Sequence, residues 1–106
     1  MAFFKKEEEF YILEIWHGHD IGTSGVYILE HLDDADGKIF PVPTTYCQDA
    51  TRYKDLESAE WYAGGFRKNH NLNVMIRKMT RKEEVKQVGY TRYLWDEDKE
   101  EFVLWE

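Results

Sequence analysis

Two imidazoles one residue apart, followed at once by a carboxylate, are the groups in this 106-residue chain best spaced for chemistry: His17-Gly18-His19-Asp20. Neutral imidazole nitrogens and a carboxylate oxygen can ligate zinc or a similar transition metal. One reading is therefore a small metal-dependent enzyme centred on His17, His19 and Asp20, with His70, Cys47 or Asp49 completing the ligand set. The plainer reading is a polar loop whose imidazoles hydrogen-bond locally. Cys47 would be a nucleophile only with a histidine close enough to lower its pKa. Nothing adjacent to it in sequence does so, and a buried cysteine is the expectation. Gly22-Thr23-Ser24-Gly25 lacks the lysine and the spacing of a phosphate-binding loop and reads as a turn. No catalytic residue and no cofactor is assigned.

The His17-Gly18-His19-Asp20 run resembles the opening of the zinc motif of the metallo-β-lactamase fold. The likeness is confined to these residues. Here the aspartate follows the second histidine directly, where the motif spaces it by one residue. The later His and Asp ligands have no counterpart, and the chain is far shorter than that fold.

Charge is the stronger signal. Residues 67–92 hold eight Lys/Arg against two acids, a net of +6 in a chain of net charge −7. Arg77, Lys78, Arg81, Lys82, Lys86 and Arg92, with Tyr90 and Tyr93 nearby, form a candidate nucleic-acid-binding set: cations pair phosphates and rings stack on bases. Strand alternation works against it by sending Arg77 and Lys78 to opposite faces. The acids cluster elsewhere, at Glu7-Glu8-Glu9, at Asp33, Asp34 and Asp36, and at Asp96, Glu97, Asp98, Glu100 and Glu101. Carboxylates exposed on turns can imitate phosphate spacing and steer a basic partner. Trp95 and Trp105 flank the last cluster, and rigid aromatics beside charge make contact centres. The plainer account of both sets is a solvated surface with internal pairing.

The elements that must position these groups follow from periodicity. A single α+β domain over 1–106 is expected, in the order β-β-β-α-β-β-β. Its sheet is antiparallel or mixed, of about five to six strands, with one main helix on a face. Phe10–His17 is apolar on both faces, as a central strand is. Val26–Leu32 and Lys38–Val42 form a hairpin whose turn needs a positive φ at Asp36-Gly37. Leu56, Ala59, Ala63 and Phe66 fall at helical steps, which predicts a helix over 56–70 capped by Asp55 and stopped at Asn69-His70-Asn71. Gly64-Gly65 either ends that helix or admits a close backbone. Leu72–Thr80 is a strand with Leu72, Val74 and Ile76 on one face and Met75 and Arg77 on the other. A helical turn can follow over 80–85, capped by Thr80. Gly89–Trp95 and Glu101–Trp105 make a terminal hairpin.

One cysteine rules out a disulfide within the chain and fits a reducing, cytoplasmic setting. No run has signal-peptide or membrane-span length, so no membrane partner is expected. The leading function is a non-enzymatic protein-interaction module. Its specific form is an inhibitor or adaptor docking on a nucleic-acid-handling protein through acidic turns and aromatic anchors. Small, acidic, cysteine-poor domains from phages and mobile elements, including anti-CRISPR and DNA-mimic proteins, are similar in composition alone. The alternatives are a nucleic-acid-binding accessory protein using 67–92 and the metal enzyme above. The exposed edge of the terminal hairpin could also pair with a second copy into a homodimer.

Overall fold

The computed structural model describes residues 9–16, 25–32, 35, 37–80 and 91–105. They form six strands and one long helix: β1 (Glu9–Ile15), β2 (Tyr27–Leu32), β3 (Ile39–Thr44), α1 (Leu56–His70), β4 (Val74–Thr80), β5 (Thr91–Asp96) and β6 (Glu101–Trp105). The strands make one sheet in the order β3-β2-β1-β4-β5-β6, with every neighbouring pair antiparallel. The expected α+β class, element order and single helix are all present.

β1 and β4 are the centre of the sheet and pair over seven positions, from Glu9↔Thr80 to Ile15↔Val74. Side chains alternate across a strand, so each buries two faces. Leu13, Ile28, Val74 and Ile76 pack under Tyr53 and under Ala59, Ala63 and Phe66 of α1. On the opposite face Phe10, Ile12, Tyr27 and Met79 pack with Cys47 and Ala50. Cys47 is 3% exposed, so its thiol is a core group.

β1 and β2 meet squarely only at Glu14↔Tyr27. Farther along, residues 51–53 lie between them. Tyr11 and Tyr53 exchange backbone hydrogen bonds of 2.8 Å each on the β1 side. On the β2 side Thr51 N donates to Ile28 O at 3.1 Å, and Glu30 N donates to Thr51 Oγ1 at 2.8 Å. Unpaired buried backbone groups are costly, and this wedge supplies the partners that the splayed strands deny each other. Tyr53 also donates its hydroxyl to Glu30 Oε1. Burial, then that hydrogen bond to the carboxylate, raises the Tyr53 pKa well above the usual tyrosine range.

α1 begins as its cap requires. Asp55 is extended, and its carboxylate accepts from Ser58 N at 2.7 Å. That bond holds the Asp55 carboxyl below its ordinary value. The helix ends at Asn71, left-handed at φ 53°, after Arg67, Lys68 and His70 have met the negative end of the dipole. Neither expectation for the glycine pair holds. The helix runs through Gly64 and Gly65, and a Cβ built on either meets nothing within 4 Å. The expected positive φ at the first hairpin is present at Gly37, at 72°.

Candidate protein-interaction surface

The basic set separates once the strands are in register. Arg77 is 0% exposed and belongs to the core. Its Nε lies 2.7 Å from Glu14 Oε1, itself fully buried, and its Nη1 donates to the Tyr27 hydroxyl at 3.3 Å. Arg77 therefore cannot reach a phosphate, which corrects its place in the nucleic-acid set. The physical reason is its pairing position: Ile12↔Arg77 and Glu14↔Met75 put both charged side chains on the face away from α1. Lys78 turns to the other face, as alternation requires. Its Nζ meets Glu9 Oε2 at 3.3 Å, and that carboxylate raises the lysine pKa. Arg92 is half-buried opposite Arg77. Arg81, Lys82 and Lys86 lie outside the described residues, as does all of the expected turn over 80–85 except Thr80, which ends β4.

The acidic set separates too. Asp96 is half-buried and closes the β5–β6 turn, accepting from Asp98 N at 2.9 Å and Lys99 N at 3.2 Å. Glu97 is held by Arg67, whose Nη2 donates to Glu97 Oε1 at 2.5 Å. The same guanidinium lies 4.1 Å over the Trp95 ring. Phe102 meets that indole edge-on at 5.1 Å. Trp95 is thus a packing residue sandwiched between α1 and β6, Asp96 is spent on the turn, and Glu97 is an exposed carboxylate paired with Arg67. Asp98, Glu100 and Glu101 are exposed, and Trp105 is 42% exposed. Glu100 stands at φ 53°, a left-handed position more natural to glycine. Asp33, Asp34 and Asp36 lie outside the described residues.

The acidic face extends onto the helix. The Glu60 carboxyl titrates above its ordinary value, first because it is partly desolvated, then because Glu101 and Glu57 repel its charge. α1 and β6 therefore bring three carboxylates into one field, beside the exposed turn. Trp61 is next in sequence to Glu60, one helical turn beyond Glu57, and 73% exposed. It is edge-on to Tyr62 at 4.9 Å. Trp61 also lines a groove of about 240 Å³ together with Gly65 and Phe66 of α1 and Ile39 of β3. Sequence reasoning did not single out Trp61. The available signal was its place off the Leu56-Ala59-Ala63-Phe66 stripe, which forces an indole toward water.

His17, His19 and Asp20 lie outside the described residues. Among those described, no three His, Cys, Asp or Glu side chains gather to hold a metal ion. Nor is any described helix long and apolar enough to cross a membrane. The chain matches no protein-family model, and no curated protein and no solved structure matches it.

Proposed function

We propose that the protein is a non-enzymatic interaction module whose contact face runs from the acids of α1 to the β5–β6 turn. The observation that carries this reading is the exposure of Asp98, Glu100 and Glu101 together at the β5–β6 turn, with the outward indole of Trp61 on α1; repulsion from Glu101 and Glu57, after desolvation, helps raise the Glu60 pKa. Like charges held together cost stability, and a cationic partner relieves that cost. The partner is accordingly a protein with a basic surface. In its specific form it is a nucleic-acid-handling protein whose basic groove takes these carboxylates in place of phosphates. Their field speeds encounter and selects the partner, while a desolvated tryptophan supplies the anchor. Of the aromatic anchors expected from sequence, Trp95 is used for packing and Trp61 takes its role.

The test is capture from a lysate of the native host, with and without nuclease, by the wild-type protein and by the combined variant Asp98→Lys, Glu100→Lys, Glu101→Lys. The expected result is a nuclease-resistant protein partner that the variant loses while its unfolding midpoint is not lowered. Equal capture by both proteins overturns the acidic-face reading. Recovery of nucleic acid alone, with nothing left after nuclease, moves the function to the basic segment.

A further inference from the structure

The two edges of the sheet are built differently. β3 carries Pro41 and Pro43, paired with Glu30 and Ile28 of β2. Ile28 O and Glu30 N both point away from β3, toward the residue 51–53 wedge. Their partners Pro43 and Pro41 therefore sit at positions whose backbone nitrogens face the open edge. Proline has no N–H to offer there, so the β3 edge cannot present a run of donors to another strand. β6 is the opposite edge. It reads Glu-Phe-Val-Leu-Trp, without proline, and pairs in continuous register with β5 from Asp96↔Glu101 to Arg92↔Trp105. Its Leu104 is 48% exposed and its Trp105 42% exposed. An apolar edge without proline is a template for strand addition.

We infer that β6 pairs antiparallel with β6 of a second copy, about a two-fold axis at Val103. That register uses all five residues. It sets Val103 against Val103, each Leu104 against the other copy's Phe102, and each Trp105 against the other copy's Glu101. No like charges face each other within the paired strands, and both exposed apolar side chains gain cover. The antiparallel sense places the two acidic turns at opposite ends of the joint. Four residues at about 3.4 Å each separate them by about 14 Å, beyond the screening length of about 8 Å in physiological salt. Among the described residues each chain has one open edge and one closed by proline, so the assembly stops at two copies and does not grow into a fibre. The axis is perpendicular to the sheet. Both helices therefore lie on one face of a twelve-stranded sheet, with Glu57, Glu60 and Trp61 outward on each. This dimer does not depend on the proposed partner, and its test needs none.

The experiment is sedimentation of the pure protein from about 5 µM to about 500 µM, at low and high salt. A monomer–dimer equilibrium is expected. It should tighten as salt screens the net charge of −7 on each copy. Leu104→Lys should raise the dimer Kd by about tenfold or more, because a lysine on the joining edge resists pairing. Val42→Lys, on the proline-bearing edge, should leave it unchanged. Hydrogen exchange on the wild type gives a reading that needs no variant: protection of 101–105 should rise with protein concentration. A protein that stays monomeric throughout overturns the inference. So does a dimer that salt dissociates, one that Val42→Lys breaks, or one whose 101–105 amides gain no protection.

Discussion

The basic and acidic stretches look alike as strings of charge, yet the fold treats them oppositely. Arg77 lies at 0% exposure against a carboxylate that is equally buried. Lys78 is tied to Glu9, and Arg67 to Glu97. Asp98, Glu100 and Glu101 remain in water, and Glu60 is held near Glu101 against repulsion. Among the described residues, Arg67, Arg77 and Lys78 of the positive segment are taken up by internal pairing, while Asp98, Glu100 and Glu101 of the negative one are presented. Charge in a sequence is therefore evidence about partners only after its burial is known.

The largest expected effect breaks the comparison from the inside. Arg77→Ala leaves Glu14 buried without its cation and should cost about 3–5 kcal/mol in urea unfolding. Replacing both groups with apolar residues, Glu14→Leu with Arg77→Met, should recover most of that loss. A double variant as unstable as the single one would mean that the pair does more than neutralise itself. The next effect is local. Glu100→Gly removes the left-handed strain in the turn and should raise stability by about 1 kcal/mol, read as a higher unfolding midpoint.

A surface pair makes the sharper contrast with Glu14–Arg77. Arg67→Ala removes the contact to Glu97, which is 79% exposed, and the stacking over Trp95. The expected loss is about 1 kcal/mol or less, reduced further by salt. A loss as large as that of Arg77→Ala would erase the distinction between the two guanidinium groups. The smallest effect is pH-dependent. Because the folded Glu60 carboxyl titrates above its ordinary value of 4.5, folding favours its protonated form. That contribution is fully present below pH 4.5 and is lost as pH rises through the raised pKa. Glu60→Gln should therefore raise the Tm at neutral pH and give no gain below pH 4.5.

What was legible in the sequence was local. The apolar stripe over 56–70, the Asp55 cap and the β6 strand are set by neighbours within a few residues, and each stands where periodicity put it. β3 is longer than expected, reaching Thr44, because prolines are tolerated on an edge strand whose outward nitrogens need no partner. The role of Arg77 was not legible, since its partner Glu14 is on another strand and only register brings them together. The wedge of residues 51–53 was hidden for the same reason: a splayed strand pair has no local signature. For the candidate surface, the exposure of Asp98, Glu100 and Glu101 follows from their turn. The contribution of Glu57 and Glu60 depends on how α1 lies beside β6.

The most direct measurement is urea unfolding of Arg77→Ala and of the combined Asp98→Lys, Glu100→Lys, Glu101→Lys variant, side by side with the wild type. If the basic charge is a core group and the acidic charge is free for partners, the first falls by about 3–5 kcal/mol and the second falls by no more than about 0.5 kcal/mol. A stable Arg77→Ala protein, or an acidic-turn variant destabilised to the same degree, would contradict that division.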